Sequence, residues 1–122
     1  MKKKMLIVDD EEDIRIFLSY YFKRKGFIVT TAVDGIDGLT KFGLDEFDIV
    51  ITDIRMPGAD GISMCMEIKK LNDSIPIVFL TAVTDDYKIL HAMSTGAAQF
   101  VDKPIKLDEL TGIVNGLLKT TI

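Results

Sequence analysis

Five short apolar runs, separated by segments with helical spacing, constrain the fold of this chain more than any other feature. The runs are Met5–Val8, Phe27–Thr31, Ile49–Thr52, Ile77–Leu80 and Phe100–Val101. Each run is continuous rather than alternating, which is typical of strands covered on both faces. Strands that alternate with helices are joined by right-handed crossovers, and these connections place the strands parallel. The sequence therefore predicts a parallel sheet between two layers of helices.

The first and last helical segments have clear apolar stripes. The first stripe follows an i, i+3, i+4, i+7, i+8 pattern, with the residues Ile14, Phe17, Leu18, Tyr21 and Phe22. Gly26 is placed to end that helix, because glycine accepts the left-handed conformation of a helix C-terminus. The last helix has a similar stripe, formed by Leu107, Leu110, Val114, Leu117 and Leu118.

Three helices are predicted between these two. Asp34 is expected to cap the second helix, whose apolar residues are Ile36, Leu39 and Phe42. Asp60 is expected to cap the third, which carries a diffuse stripe with Ile62, Met66 and Lys69. A fourth helix is expected to begin at Asp85 or Asp86 and to end near Gly96.

The order of these elements is a strand followed by a helix, repeated five times. A closed barrel would need eight such units. We therefore predict an α/β fold with an open, doubly wound, five-stranded parallel sheet, flavodoxin-like with strand order 2-1-3-4-5, and five helices. A length of 122 residues suits one domain, which we expect to cover residues 1–122.

Composition excludes several classes of function. The net charge of −4 argues against a nucleic-acid surface on this chain. No apolar run is long enough to cross a bilayer, so no membrane contact is expected. Cys65 is the only cysteine, so a disulfide within the chain is impossible and a reducing, cytoplasmic location is expected.

Polar residues follow the predicted strands at their carboxyl ends. In a doubly wound sheet, ligands bind beyond these ends, where the strand order reverses between strands 1 and 3. The residues that converge there are Asp9, Asp10, Asp53, Thr81 and Lys103. They are spread over most of the chain, so only the fold brings them together.

This set of residues has the chemistry needed to handle a phosphoryl group. Three carboxylates in a small pocket repel one another, and a hard divalent cation such as Mg²⁺ relieves that repulsion. A cation and a lysine can neutralise phosphoryl oxygens while a carboxylate attacks phosphorus in line. Asp53 is the best-placed nucleophile, because it stands alone on the strand beside the switch point.

The motifs together resemble the receiver domain of bacterial two-component response regulators. They are "DD" at 9–10, "D" at 53 with "MPGADG" at 56–61, "TA" at 81–82 and "KP" at 103–104. Each motif alone is unspecific, but jointly, on five strand–helix units, they are highly specific. The resemblance covers the whole chain, which is either a stand-alone regulator or a receiver from a longer protein.

The resemblance implies roles for the residues at the pocket. Asp53 would accept a phosphoryl group from a phosphohistidine on a sensor histidine kinase or a phosphotransfer protein. Thr81 would hydrogen-bond that group and Lys103 would pair with it. The chain would then be a phosphoacceptor, catalysing only its own phosphoryl transfer and slow dephosphorylation.

The same resemblance implies a magnesium site and a switch. Mg²⁺ would be held by Asp10, by Asp9 directly or through water, by Asp53 and by the backbone carbonyl of Arg55. Phe100 occupies the position of an aromatic switch residue, and the Lys103–Pro104 bond is expected to be cis. The face formed by helix 4, strand 5 and helix 5, roughly residues 85–118, would bind a downstream protein or a second copy.

Three other functions were weighed against these residues. A phosphohydrolase with an aspartyl-phosphate commonly has a second Asp two residues after the nucleophile, where this chain has Arg55. A flavin carrier would need a Ser/Thr/Gly-rich phosphate loop after strand 1, whereas "DDEED" at 9–13 is acidic. A receiver-like module that has lost phosphorylation would not be expected to keep the full set of residues.

Overall fold

The computed structural model describes residues 2–56, 61–82 and 99–122. The described elements are β1 (Lys4–Val8), α1 (Glu12–Arg24), β2 (Ile28–Ala32), α2 (Gly35–Phe42), β3 (Ile49–Asp53), α3 (Gly61–Leu71), β4 (Ile77–Ala82), β5 (Gln99–Lys103) and α4 (Leu107–Leu118). The last of these, α4, is the fifth helix predicted from the sequence. The predicted fourth helix, from Asp85 or Asp86 to Gly96, and the predicted cap at Asp60 lie outside the described residues.

The sheet has five parallel strands in the order β2-β1-β3-β4-β5, which confirms the predicted topology. The register aligns the carboxyl ends of the central strands. Val8 pairs with Thr52, so the next residue on each strand, Asp9 and Asp53, lies at the same edge. At the far side of the sheet, Ala82 pairs with Lys103.

The first helix begins and ends where its sequence favours. Acidic residues lie in its first turn and basic residues in its last turn. These charges interact favourably with the helix dipole and so stabilise the helix. Gly26 follows the helix with φ of +100°, as expected for a glycine that ends a helix. The N–H of Gly26 donates to the carbonyl of Lys23, and the N–H of Phe27 donates to that of Phe22. These two bonds form a Schellman motif and turn the chain into β2.

The second helix is capped as predicted. The Asp34 side chain accepts a hydrogen bond from the backbone N–H of Asp37 at 2.8 Å. Gly38 then lets this helix approach β1 and α3 closely, because a Cβ there would lie 2.6 Å from Met64 Sδ and 3.0 Å from Val8 Cγ2. A glycine that weakens the helix as an isolated element therefore improves its packing in the fold.

The core consists of two clusters of buried side chains, one on each face of the sheet. Successive residues of β1 alternate between them: Leu6 and Val8 pack with α2 and α3, whereas Met5 and Ile7 pack with α1 and α4. Because both faces are covered, the strands need apolar residues at every position, and this explains the continuous runs. Cys65 is buried in the first cluster.

Three predicted apolar stripe residues lie outside the core. Phe17 is 50% exposed on α1, Ile36 is 64% exposed on α2 and Met66 is 48% exposed on α3. The helical period gives the direction of the buried face but not its width, and these residues lie at its margin. Ile28, at the start of β2, is also exposed, because β2 is an edge strand. None of the helices in the described ranges is long and apolar enough to span a membrane.

Candidate functional site

The carboxyl ends of β1, β3 and β5 bring together an aspartate, a second aspartate and a lysine. Asp9 follows β1, Asp53 ends β3 and Lys103 ends β5. Lys103 Nζ lies 3.1 Å from Asp53 Oδ2 and 3.5 Å from Asp9 Oδ2. These are contacts across 50 and 94 residues of sequence, so the sheet register alone creates them. The sequence predicted this convergence from the strand ends.

Glu11 is a further member of the site that the sequence analysis missed. Its Oε1 atom lies 3.3 Å from Lys103 Nζ, as the third carboxylate in contact with that ammonium group. The acidic run at 9–13 contains Glu11, but the run alone does not distinguish Glu11 from its acidic neighbours. Glu11 immediately precedes α1, where the chain turns back over the strand ends.

Asp9 is fixed from three sides by neighbouring backbone and side-chain groups. Its N–H donates to the carbonyl of Ala32 at 3.2 Å, and its Oδ1 accepts the N–H of Glu11 at 2.9 Å. Its carbonyl accepts a hydrogen bond from an Arg15 guanidinium N–H at 2.7 Å. The Arg15 side chain therefore links the β1–α1 turn to α1. Together, these bonds hold the Asp9 carboxylate at the edge of the sheet.

Burial and charge act in opposite directions on the groups of this site. Asp9 is fully buried, and this burial raises the pKa of its carboxyl group, although the Glu11 N–H and the Lys103 charge oppose the shift. For Lys103, burial would lower the pKa, but the hydrogen bond to Asp53 and the charges of Asp53 and Asp9 outweigh it. The pKa of Lys103 is therefore raised, and the ammonium form is favoured.

The residues that follow β3 and the first residue of α3 pack closely around Asp53. Asp53 Oδ1 accepts the N–H of Arg55 at 3.3 Å. The N–H of Gly61, at the start of α3, donates to the carbonyl of Ile54 at 2.9 Å. A Cβ at position 61 would lie 2.1 Å from the Asp53 carbonyl oxygen, so only glycine fits there. The backbone at the start of α3 therefore lies directly against the end of β3, which carries Asp53.

These residues surround an open cavity of about 250 Å³. Its lining residues are Asp10, Glu11, Asp53, Ile54, Arg55, Thr81 and Lys103. Thr81 is buried at the end of β4. The structure thus brings Thr81 and Arg55 to the same cavity as the acidic residues.

Phe100 lies apart from this cavity. Its half-buried ring stacks on Phe79 of β4 with centroids 5.7 Å apart, and it packs against the α2 and α3 side of the core. The Lys103–Pro104 peptide bond, just beyond Lys103, is cis. This agrees with the conformation that the family resemblance implied.

Comparison with known proteins agrees with this geometry. The chain matches the family described as "Response regulator receiver domain" over residues 5–115. The chain belongs to this family. Among curated relatives, the receiver is 40% identical over 120 residues to "Probable transcriptional regulator ycf27" of Cyanophora paradoxa, covering 98% of this chain and 50% of the relative. It is 34% identical over 119 residues to the alkaline phosphatase synthesis transcriptional regulatory protein PhoP of Bacillus subtilis. This match covers 98% of this chain and 50% of the relative.

The receiver therefore spans about half the length of these curated relatives. Two solved structures resemble it over nearly their whole length. A response regulator receiver domain from Clostridium thermocellum has a TM-score of 0.90 at 30% identity, covering 96% of this chain and 94% of the other. The Vibrio cholerae chemotaxis protein CheY4 has a TM-score of 0.91 at 29% identity, and the match covers 97% of this chain and 100% of the other.

The acidic residues of the receiver have the donor set for a divalent cation. Carboxylate oxygens of Asp9, Asp10, Glu11 and Asp53 lie within 4.8 Å of one another. Oxygen donors of this kind suit hard cations such as Mg²⁺, which binds through a few carboxylates and keeps several waters. Among the described residues, these four carboxylates outnumber the basic side chains that line the cavity, Lys103 and Arg55, and a cation would offset the excess negative charge. The residues present therefore fit a divalent metal ion.

Asp9→Asn is expected to stabilise the metal-free receiver at neutral pH, because the asparagine side chain carries no charge that burial would penalise. Because the folded-state pKa of Asp9 is raised, its contribution to stability is greatest below the unfolded-state pKa and is lost as pH rises through the folded-state pKa. The advantage of the asparagine variant should therefore grow with pH from about 3.8 upward and then level off. Urea unfolding with a chelator present, at a series of pH values, measures this difference. A variant less stable than wild type at every pH would contradict it.

Proposed function

We propose that the receiver is a phosphorylation-controlled signalling switch that accepts a phosphoryl group on Asp53. The donor is a phosphohistidine on a sensor histidine kinase or a phosphotransfer protein. The observation that carries the proposal is the 3.1 Å contact between Asp53 and Lys103 at a cavity lined by further carboxylates. Residues 1–122 act in this proposal as one receiver domain.

The proposed transfer is a displacement at phosphorus. A carboxylate oxygen of Asp53 forms a bond to phosphorus as the bond from phosphorus to the donor imidazole nitrogen breaks, and that nitrogen keeps the electron pair. Lys103 and the Thr81 hydroxyl donate hydrogen bonds to the phosphoryl oxygens, where negative charge is concentrated. The 9–11 turn and the β3–α3 connection keep these groups in position.

In the same proposal, a magnesium ion is held by Asp9, Asp10, Asp53 and the backbone carbonyl of Arg55. When bound, the ion supplies positive charge that neutralises phosphoryl oxygens and the crowded carboxylates. The contribution of the protein is the fixed arrangement of oxygen donors. The close contact of the Arg55 N–H with Asp53 supports a turn that keeps Arg55 beside the cavity.

Asp10→Asn is expected to weaken Mg²⁺ binding by about tenfold or more, because it removes one of the charged ligands. Asp13→Asn removes the same charge from an exposed position in the first turn of α1 and serves as the control. NMR titration of both variants with Mg²⁺ gives the affinities. Equal affinities for the two variants would remove Asp10 from the site.

The test of the function is incubation of the receiver with Mg²⁺ and acetyl phosphate, followed by measurement of the intact mass. We expect the addition of one phosphoryl group, which should be lost on mild base treatment as an acyl phosphate. No addition over a range of Mg²⁺ and donor concentrations would argue against the proposal.

In the proposed switch, phosphorylation of Asp53 changes the positions of the Thr81 and Phe100 side chains. A phosphoryl group adds charge and acceptor oxygens that draw the Thr81 hydroxyl toward it. The Phe100 ring, stacked on Phe79 beside the β4 end, is then placed to change its rotamer. The surface expected to bind a downstream protein or a second copy consists of the predicted fourth helix, β5 and α4, of which the structure describes the last two.

A further inference from the structure

The Lys103 ammonium group has as many carboxylate neighbours as it has protons. A lysine ammonium has three N–H donors and no acceptor. Within the described residues, Lys103 Nζ contacts Asp53 at 3.1 Å, Glu11 at 3.3 Å and Asp9 at 3.5 Å. In this state each donor has a carboxylate partner. An incoming phosphoryl donor meets this state while Asp53 is still a carboxylate, so an oxygen of the donor must displace one of the three partners from Lys103.

The three partners differ greatly in their access to water. The side chain of Asp9 is 0% exposed and that of Asp53 is 10% exposed, whereas that of Glu11 is 60% exposed. A carboxylate that loses a hydrogen-bond donor must be rehydrated, and a buried carboxylate cannot be. Glu11 is therefore the partner that Lys103 can release at the lowest cost in free energy.

Glu11 is also unconstrained by the helix that it precedes. It occupies the N-cap position of α1, but its side chain makes no capping hydrogen bond. Its backbone N–H, rather than its side chain, holds Asp9. The carboxylate can thus leave Lys103 without disturbing α1 or the β1–α1 turn.

We propose that Glu11 is a positioning residue that occupies one donor of Lys103 and must release it when a phosphoryl group binds. The inference rests on the proposed function, in which Lys103 pairs with the phosphoryl group on Asp53. Glu11 competes with the phosphoryl oxygens for the same ammonium group. It therefore lowers both the rate of phosphorylation and the affinity for a phosphoryl mimic.

Glu11→Gln tests this competition, with Glu12→Gln as the matched control. Glu12 is the exposed first residue of α1, and its side chain makes no hydrogen bond or ion pair to any described residue. Both variants remove one negative charge near the cavity, so both favour the approach of an anionic donor to a similar extent. Only Glu11→Gln removes the charged partner of Lys103.

We expect Glu11→Gln to accelerate phosphorylation by acetyl phosphate about twofold to fivefold relative to Glu12→Gln, the factor that an exposed ion pair represents. The affinity for beryllofluoride, measured by NMR titration at saturating Mg²⁺, should rise by a similar factor. Thermal unfolding of both variants establishes that each is folded.

Two results would overturn the inference while leaving the proposed function intact. One is equal rates and equal beryllofluoride affinities for the two variants, with the wild-type receiver phosphorylated normally. The other is a much lower Mg²⁺ affinity for Glu11→Gln than for Glu12→Gln, which would make Glu11 a metal ligand. A wild-type receiver that takes up no phosphoryl group would instead overturn the proposed function, and the inference with it.

Discussion

Asp53→Asn is expected to reduce phosphoryl uptake from acetyl phosphate by at least about a hundredfold relative to wild type. The amide that replaces the carboxylate keeps the shape of the side chain but is a far weaker nucleophile. It also removes the strongest acceptor of Lys103, whose Nζ lies 3.1 Å from Asp53 Oδ2. Time-resolved intact-mass measurement in the presence of Mg²⁺ gives the rate for each protein.

Asp73→Asn is the control for this experiment. It makes the same change of charge at an exposed aspartate in the α3–β4 connection, which precedes β4 and so lies at the opposite edge of the sheet from the site. We expect it to be phosphorylated at the wild-type rate. Uptake by Asp53→Asn at an undiminished rate would show that another residue is the nucleophile, and peptide mapping would locate it.

Gly61→Ala is expected to lower the free energy of unfolding by about 2–3 kcal/mol, the upper part of the range for overpacking. The added Cβ would lie 2.1 Å from the carbonyl oxygen of Asp53, and a backbone atom cannot move aside as a side chain can. Either α3 or the end of β3 must shift. Because Asp53 is at that end, we also expect slower phosphorylation. Urea unfolding and intact-mass kinetics measure the two effects.

Gly112→Ala separates this steric effect from the ordinary preference of helices for alanine. Among the described residues, no atom outside the neighbouring turns of α4 lies within 4 Å of a Cβ built at Gly112, so this variant should be stabilised by about 0.5–1 kcal/mol. If Gly61→Ala were as stable as Gly112→Ala, the close packing of α3 on Asp53 would not exist in solution.

The fold of the receiver could be predicted because the continuous apolar sequence of its strands indicates that both faces of the sheet are buried. Residues Met5–Val8 are apolar at each position, and the structure buries them alternately in the two core clusters. Strand–helix alternation in a chain of this length predicts an open five-stranded parallel sheet, and the structure has the order 2-1-3-4-5 of the flavodoxin-like fold that we expected for it. Phe17 could not be placed correctly from the sequence, since its exposure depends on how far the neighbouring elements extend over α1.

The candidate site was predictable to the extent that its residues end strands. Asp9, Asp53 and Lys103 are in contact because the carboxyl ends of parallel strands share an edge. Glu11 lies beyond the strand, and its contact with Lys103 depends on the direction of a turn and on a side-chain rotamer. Neither is encoded in a residue pattern, so an acidic residue among four other acidic residues gave no specific signal.

The wide sequence separation of the Lys103 contacts has a consequence for biosynthesis. A chain is synthesised from its N-terminus, so Asp9, Glu11 and then Asp53 leave the ribosome before Lys103 does. Until β5 docks, the Lys103 ammonium group cannot contact these carboxylates, and their mutual repulsion opposes closure of the sheet edge. Contacts that join residues 94 positions apart form late, after long loops have been closed. Under the proposed function, the nascent chain therefore cannot be phosphorylated efficiently until β5 has joined the sheet.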